Sequence, residues 1–297
     1  MFKSFSELMK KASKKGKKNI VVAGAADDVV LKAIKLSQER GLVRCILIGD
    51  EKEIKNISSK IGYDLTGSKI INEKDSIQIA RKAVDQVEKE RADMLMKGMI
   101  PTSVFLKAIL KSNIRMENTL LSHVAVLESS NYANLFLITD VAMNINPNLS
   151  EKVQIIQNAI KVAKAMECDI PKIAILSAVE TVSTKIASTI DASILSKMAE
   201  RGQIKNSIID GPLALDIAMS LHSAQHKGVK SQVAGKTDIL VAPNIETGNA
   251  LYKAIVFFGK ASMAGIIVGA KIPVILTSRT DSEESKLFSI ALGVLMS

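Results

Sequence analysis

The 297-residue sequence contains no tryptophan, and aromatic side chains make up only 3% of it. Proteins that bind single-stranded nucleic acid stack bases on aromatic side chains set among basic ones, a pattern that this sequence lacks. Its formal charge of +10 still favours anionic partners, either nucleic acid or phosphorylated small molecules. The lysines near the N-terminus are typical of a solvated basic helix face. We therefore predict small phosphorylated ligands and no nucleic-acid partner.

Cysteine is also scarce, because the sequence holds only Cys45 and Cys168. Two thiols are too few for a disulfide framework, and the apolar run around Cys45 is typical of a buried free thiol. No apolar run approaches the roughly 20 residues that a membrane-spanning helix needs. The first residues lack the apolar core and cleavage site of a secretory signal. We expect a cytoplasmic protein with no membrane partner.

Several common site motifs are missing. Residues 24–28 read GAADD after the first strand, so there is no Gly-x-Gly-x-x-Gly dinucleotide fingerprint, and no Gly-x-Ser-x-Gly elbow occurs elsewhere. Residues 235–237 imitate the end of a phosphate-binding loop, but Lys230 stands where that loop needs glycine. His222 and His226 have a metal-compatible spacing without the adjacent glutamate of the zinc proteases. We predict surface histidines and no bound metal.

Apolar runs that alternate with helical stretches predict an α/β fold with parallel strands. In the first half these runs are residues 19–24, 42–49, 70–72 and 94–98. Asp50 is predicted to cap the helix after the second run. Residues 123–127 and 135–139 are too close together for a crossover helix, so this pair is predicted to be antiparallel.

The alternation resumes at Ser150, which is predicted to cap a long helix. Pro212 is predicted to open another helix, because proline favours the first turn. Glycines at predicted strand ends indicate close approach of an anionic ligand, although each also serves ordinary turns. These glycines are Gly24, Gly98 and Gly211.

Residues 242–253 (APNIETGNALYK) place polar groups at a predicted strand–helix junction. Ligands in open α/β sheets bind beyond the carboxyl ends of the strands, so this junction is a candidate site. Thr247 is predicted to cap the helix, with Gly248 in its first turn. Asn249 and Lys253 are four residues apart and therefore share a helix face.

Residues 273–282 (PVILTSRTDS) form an apolar run that ends in a hydroxyl, a guanidinium and a carboxylate. A buried strand is a rigid support for such groups. The planar guanidinium of Arg279 suits a phosphate group, because it donates two parallel hydrogen bonds. Ser278 and Asp281 flank it, so this segment predicts the centre of an anion-binding site.

Both stretches, together with residues 96–98 (MKG), 121–126 (LSHVAV) and 210–216 (DGPLALD), resemble the phosphate acyltransferases, and most of all the phosphate butyryltransferase branch. The resemblance spans essentially the whole chain. It implies a cytoplasmic enzyme of fatty acid metabolism that reversibly transfers a short acyl group between coenzyme A and inorganic phosphate. The reaction is butanoyl-CoA + phosphate = butanoyl phosphate + CoA, by direct attack in a ternary complex.

Two alternatives stay open. The first is a phosphate acetyltransferase with a smaller acyl pocket, and the second is a non-catalytic coenzyme A-binding module of the same fold. In either enzyme, coenzyme A is a substrate and no cofactor is permanently bound. The expected partners are acyl-CoA, coenzyme A, phosphate, acyl phosphate and further copies of the chain in a homo-oligomer.

The resemblance also implies two α/β/α domains with a cleft between them, similar to the isocitrate and isopropylmalate dehydrogenases. Residues 1–133 together with 273–297 are expected to form the first domain, and residues 134–272 the second.

The catalytic residues implied by the resemblance are Ser278, Arg279 and Asp281. Acetyl-transferring members carry an aspartate, proposed as the base, where this chain has Ser285. Asp281 therefore takes that role here, with Glu284 as the alternative. The implied substrate-binding residues are Lys97, Thr102, Lys107, Ser122, Gly211, Asn244, Thr247, Gly248, Asn249 and Lys253.

Overall fold

The computed structural model describes residues 1–278 and 280–297. They form two compact units. Phe5–Thr119 with Met263–Ser297 makes up the terminal unit, and Met1–Ser4 with Leu120–Ser262 makes up the central unit. The predicted domain boundaries lie elsewhere, after residues 133 and 272, and that assignment stays a prediction. It differs from the compact units in the placement of residues 1–4, 120–133 and 263–272.

Helices and strands alternate along most of the chain, as predicted. No helix in the described residues is long and apolar enough to cross a membrane. The order of elements is α1 (Phe5–Lys14), β1 (Lys18–Ala23), α2 (Asp28–Glu39), β2 (Val43–Gly49), α3 (Glu51–Lys60), β3 (Lys69–Asn72), α4 (Ser76–Glu88), β4 (Met94–Lys97), α5 (Thr102–Leu110), β5 (Ser122–Glu128), β6 (Phe136–Thr139), α6 (Leu149–Ala165), β7 (Lys172–Leu176), α7 (Ala187–Glu200), β8 (Ile208–Leu213), α8 (Leu215–Met219), α9 (Leu221–His226), β9 (Ile239–Val241), α10 (Ile245–Phe257), β10 (Ser262–Val268), β11 (Val274–Ile275) and α11 (Glu283–Met296).

In the terminal unit, the strands lie in the order β3-β2-β1-β4-β11-β10. All neighbours are parallel except β10 and β11, which are antiparallel. The register pairs Ala23 with Lys97 and Ile275 with Met96, so β1, β4 and β11 end at the same edge. The parallel alternation predicted for the first half of the chain is thereby confirmed.

Four helices of the terminal unit, α2, α3, α4 and α11, begin at side chains that accept backbone N–H groups. Asp50 accepts from the Lys52 N–H at 3.0 Å, which confirms its predicted role as the cap of α3. Asp27 and Ser282 cap α2 and α11 in the same way. The last helix packs on the first, with the Phe5 and Phe288 rings stacked at 4.3 Å.

The central unit has the strand order β5-β6-β9-β7-β8. β5 and β6 are antiparallel, as predicted from the short connection between them, and the remaining neighbours are parallel. The three strands at the middle of this order are buried: every residue of β6 and β9 is buried, and so is every residue of β7 except the first.

The helix starts predicted at Ser150 and Pro212 are wrong. α6 is capped by Asn148 and not by Ser150, because Asn148 Oδ1 accepts from the Glu151 N–H at 3.0 Å while Glu151 accepts from the Asn148 N–H at 2.8 Å. This reciprocal pair satisfies two N–H groups at once. Pro212 does not open a helix either, since it lies in β8, and the next helix begins at Leu215.

Candidate functional site

The predicted site residues divide between the two units. In the terminal unit, a close backbone contact marks the carboxyl edge of β1 and β4. The Gly98 N–H donates to Ala23 O at 2.8 Å and the Met99 N–H donates to Gly24 O at 2.7 Å. A Cβ atom on Gly98 would collide with Gly24 O. Glycine at position 98 is therefore required sterically, and Gly24 also has a φ of 83°, which favours glycine.

A short turn follows β11 at the same edge. Asp281 Oδ2 accepts a hydrogen bond from the Ser278 N–H at 2.6 Å, and the Asp281 N–H donates back to Ser278 O at 3.3 Å. The Ser278 hydroxyl is exposed and lies 3.0 Å from the Thr280 hydroxyl. The structure thus brings Ser278 and Asp281 together. Arg279, the third predicted catalytic residue, lies outside the described residues.

Lys286 of α11 holds this turn in place, a role that the sequence analysis did not predict. It is only 3% exposed, and its Nζ donates to Ser278 O at 2.9 Å and to Asp281 O at 3.1 Å. Burial lowers the pKa of Lys286, and the carboxylates of Asp281 and Asp27 partly offset this effect. The one feature of the sequence that marks Lys286 is its position, as the single lysine of α11, just before the apolar part of that helix.

Lys97 and Thr102 lie near the same edge. Lys97 ends β4 and is 4% exposed, with its Nζ donating to Gly98 O at 3.0 Å. Thr102 is exposed and is the first residue of α5, at the helix end where backbone N–H groups favour anions. Both positions are compatible with the substrate-binding role that the resemblance implies.

The structure does not bring Lys107 to that edge. Lys107 is exposed in the last turn of α5 and lines a cavity between α4 and α5 with Arg81 and Lys111. Neither Lys97 nor Ser278 lines this cavity. Glu284, the alternative base, is exposed in the first turn of α11.

In the central unit, the junction after β9 carries most of the remaining residues. The helix cap of α10 is Asn244, whose Oδ1 accepts from the Thr247 N–H at 3.0 Å. The predicted cap at Thr247 is therefore wrong, because Thr247 already lies in the helix and is exposed. Gly248 packs against the backbone, where a Cβ atom would collide with Asp140 O. Asn249 Nδ2 donates to Val141 O at 2.9 Å.

Three other predicted residues of the central unit have different surroundings. Ser122 is fully buried, and its hydroxyl accepts from Asn158 Nδ2 at 3.0 Å, so it holds β5 against α6. Gly211 lies inside β8, where a Cβ would meet Ile175 at 2.8 Å. Lys253 is exposed on α10. Of these three residues, only Lys253 carries a charge, and it is exposed to solvent.

A cavity of about 730 Å³ opens where β7 and β9 end and where α7 and α10 begin. Asn244 and Thr247 line it, together with Ser177, which directly follows β7. This is the position, beyond the carboxyl ends of parallel strands, at which open α/β sheets bind ligands. Its volume falls within the range of about 300–1,000 Å³ usual for small-molecule sites.

No group of His, Cys, Asp and Glu side chains within residues 1–278 and 280–297 could hold a metal ion. His222 and His226 are exposed on α9, with stacked rings 6.2 Å apart. His123 is buried at the start of β5.

Comparison with known proteins identifies the family to which this chain belongs. The family model described as "Phosphate acetyl/butaryl transferase" matches residues 4–84 and 78–294. The chain is 46% identical over 297 residues to the phosphate butyryltransferase of Clostridium acetobutylicum, covering 100% of this chain and 99% of that protein. The chain belongs to the phosphate acetyl/butyryl transferase family.

A further relative and a solved structure are also similar to this chain. The phosphate acetyltransferase of Thermotoga maritima is 42% identical over 291 residues, covering 97% of this chain and 98% of that protein. The crystal structure of a branched-chain phosphotransacylase from Enterococcus faecalis matches with a TM-score of 0.84 and 34% identity, covering 94% of this chain and 98% of that one. These matches confirm the resemblance and the α/β fold class predicted from the sequence.

Proposed function

We propose that the protein is an acyltransferase that reversibly converts butanoyl-CoA and inorganic phosphate to butanoyl phosphate and coenzyme A. The observation that carries this proposal is the 46% identity, over the whole chain, to an enzyme named phosphate butyryltransferase. The turn at Ser278–Asp281 and the polar junction at Asn244 support it, because each places hydrogen-bonding groups just beyond the end of a strand.

The proposed chemistry is direct attack in a ternary complex. In the direction of coenzyme A acylation, the thiolate sulfur attacks the carbonyl carbon of the acyl phosphate. The C–S bond forms, the bond from that carbon to the phosphate oxygen breaks, and phosphate leaves with the electron pair. Because a free thiol has a pKa of about 8.5, a base that takes its proton speeds the reaction near neutral pH.

We assign the base to Asp281, with Glu284 as the alternative. The carboxylate of Asp281 is held at a fixed position through its 2.6 Å contact with the Ser278 N–H. The exposed Ser278 hydroxyl is assigned to the sulfur, as a hydrogen-bond donor. Arg279 is assigned to the phosphoryl group, whose growing charge one well-placed donor stabilises by about 3–4 kcal/mol in the transition state.

Phosphate binding is assigned to Lys97 and Thr102, with Lys107 as a more distant contributor. The buried amine of Lys97 supplies a cation at the strand edge, and the first turn of α5 adds backbone N–H groups. Substrate binding is also assigned to residues of the central unit. Asn244, Thr247, Asn249 and Lys253 are assigned to contact coenzyme A, whereas Ser122, Gly211 and Gly248 support the site through the packing of its backbone.

A phosphate acetyltransferase is the second candidate, favoured by the 42% identity to the Thermotoga maritima enzyme of that name. The two activities differ in acyl pocket size, and each methylene contributes only about 1–3 kcal/mol to discrimination. Steady-state rates on acetyl-CoA, butanoyl-CoA and branched acyl-CoA, with phosphate as the second substrate, separate them. We expect the highest kcat/KM on butanoyl-CoA. A preference for acetyl-CoA would favour the second candidate.

The same panel tests the third candidate, a coenzyme A-binding module without activity. Binding of coenzyme A by calorimetry, with no thiol release from any acyl-CoA, would support that candidate and contradict ours. Phosphate-dependent release of thiol excludes it.

We further propose that the enzyme acts in the cytoplasm, in fatty acid metabolism, as a homo-oligomer without a permanently bound cofactor. The resemblance to the phosphate acyltransferases is also the basis on which we propose two domains with a cleft between them, similar to isocitrate dehydrogenase. Size-exclusion chromatography with light scattering tests the oligomeric state.

A further inference from the structure

The groove between α4 and α5, in the terminal unit, combines an apolar floor with exposed cations. The side of this groove that α4 forms consists of residues three or four positions apart, and therefore on one helix face, which are Ile77, Arg81, Val84 and Glu88. The opposite side consists of Val104, Lys107, Ala108, Lys111 and Ser112. The volume of about 540 Å³ is within the range of about 300–1,000 Å³ usual for small-molecule sites.

The carboxyl ends of the two helices lie together at one end of the groove. Glu88, the last residue of α4, accepts a hydrogen bond at 2.9 Å from the N–H of Asn113, which follows α5. Arg81 precedes Glu88 by seven residues, and Lys107 precedes Asn113 by six. At a rise of about 1.5 Å per residue, these two cations therefore lie at a similar distance from that end, on opposite sides of the groove.

The cations of the groove differ from the neighbouring lysines on α4. Lys82 and Lys89 each form an ion pair of 2.7 Å with a carboxylate that does not line the groove. Arg81, Lys107 and Lys111 are exposed and form no ion pair with any carboxylate that the structure describes. Three such cations around one groove, against a single carboxylate among its lining residues, create a positive potential that favours an anion.

The floor of the groove determines which kind of anion fits. Val84 is buried, Val104 and Ala108 are half-buried, and Ile77 is 51% exposed. These side chains offer aliphatic surface, whose burial under a ligand is favourable. Inorganic phosphate has no apolar part to cover them. A nucleotide base finds no stacking partner, because the lining residues, all of which are described, include no aromatic side chain. An anionic head on a flexible alkyl chain matches both features.

We propose that the groove between α4 and α5 binds a medium-chain aliphatic carboxylate. The guanidinium of Arg81 donates two parallel hydrogen bonds to the carboxylate, and Lys107 and Lys111 add positive charge around it. The alkyl chain extends along the floor toward Ile77 and Val104, at the other end of the groove.

This site is separate from the edge at which acyl transfer is proposed, since neither Lys97 nor Ser278 lines the groove. Binding of the carboxylate does not require acyl transfer, so it can be measured independently.

Calorimetry on the wild-type protein compares octanoate with butanoate. Each buried methylene group tightens binding by about fourfold, and octanoate has four more methylene groups than butanoate. We expect one octanoate to bind per chain, with a Kd at least about tenfold lower than that of butanoate, a ratio that burial of two of these groups is enough to give.

The groove variant is Arg81→Leu/Lys111→Met, which removes two of the three cations. Its matched control is Lys82→Met/Lys89→Met, which removes the same charge from α4 outside the groove. We expect the groove variant to weaken octanoate binding by about fivefold or more, the scale of two exposed ion pairs, and the control to change it by less than about twofold. Ala108→Trp fills the groove without changing its charge. It is expected to weaken octanoate binding by about tenfold or more, and it serves as the test if the double variant fails to fold.

Several results would overturn the proposal. Equal Kd values for butanoate and octanoate would show that no alkyl chain is bound, and an unchanged Kd in Arg81→Leu/Lys111→Met and Ala108→Trp would place octanoate elsewhere on the protein. Displacement of octanoate by coenzyme A would assign the groove to that substrate. Loss of an oligomer in Ala108→Trp, measured by light scattering, would assign it to a second copy of the chain.

The outcome for the groove is distinguishable from the outcome for the proposed function. Phosphate-dependent turnover by a wild-type protein that does not bind octanoate contradicts only the groove assignment. Octanoate binding that the groove variants weaken, in a protein without any turnover, contradicts only the acyl transfer.

Discussion

Replacing Lys286 with methionine removes the buried amine that holds the turn after β11. The amine donates to Ser278 O at 2.9 Å and to Asp281 O at 3.1 Å, and methionine offers a side chain of similar length without a donor. The turn then loses both supports from α11. Because Ser278 and Asp281 are proposed to touch the substrates, we expect the loss to appear mainly in turnover.

The expected effect on stability is small because two contributions oppose each other. A buried acceptor left without a donor costs about 1–3 kcal/mol, but water can replace the amine at the exposed residue Ser278. Burial lowers the pKa of Lys286, so removing its charge relieves an unfavourable desolvation. We expect the free energy of unfolding to fall by less than about 2 kcal/mol, whereas a displacement of about 1 Å in the turn costs roughly a hundredfold in kcat.

Ser289→Ala is the matched control on the same helix. Ser289 is fully buried, and its hydroxyl accepts from the Gly265 N–H at 2.9 Å without contacting the turn. This variant is expected to lose about 1–3 kcal/mol of stability and keep its kcat. The assay is phosphate-dependent thiol release from butanoyl-CoA beside thermal unfolding of each variant. Normal kcat in Lys286→Met, or equal losses of kcat in both variants, would refute the reasoning.

Further variants test other parts of the account. In the direction of coenzyme A acylation, in which Asp281 takes the thiol proton, Asp281→Asn is expected to remove the acidic limb of the pH–rate profile, and an unchanged profile would transfer the role of base to Glu284. Gly98→Ala is expected to lower the unfolding temperature strongly, because its Cβ collides with Gly24 O; unfolding at the wild-type temperature would contradict the observed packing. Burial raises the pKa of Cys45, so a thiol reagent should modify it only after unfolding, and rapid modification in the folded protein would contradict its burial. Because the pKa of Lys286 is lowered below 10.5, the unfolded chain binds more protons than the folded one just below that pH. Wild-type stability relative to Lys286→Met should therefore increase as the pH rises toward 10.5, and a decrease would contradict the sign.

The sequence predicted the alternation of strands and helices well because buried strands give short apolar runs. It also predicted the antiparallel pair β5 and β6, since residues 129–135 are too few for a crossover helix. Three predicted helix starts, at Ser150, Pro212 and Thr247, were wrong. Asn148 and Asn244 compete with Ser150 and Thr247 as caps, and all four residue types are acceptable in that position. The backbone, which the sequence pattern does not reveal, selects the asparagine in both helices.

The candidate site shows the same division. Ser278 and Asp281 are close in sequence, so their contact could be expected. The support from Lys286 depends on the path of α11, and the pair of Lys152 with Asp191 joins residues 39 positions apart on different helices. No local sequence motif predicts either contact. Lys107 was assigned by motif position alone, and the structure places it in the groove between α4 and α5.

The most direct test of the proposed acyl transfer compares wild-type protein with Arg279→Ala in phosphate-dependent thiol release from butanoyl-CoA. We expect turnover by the wild type only when phosphate is present. We expect a loss of roughly a hundredfold or more in Arg279→Ala, the scale of one lost transition-state donor, at an unchanged unfolding temperature. Near-normal turnover by Arg279→Ala, or no phosphate-dependent release by the wild type, would contradict the proposed acyl transfer.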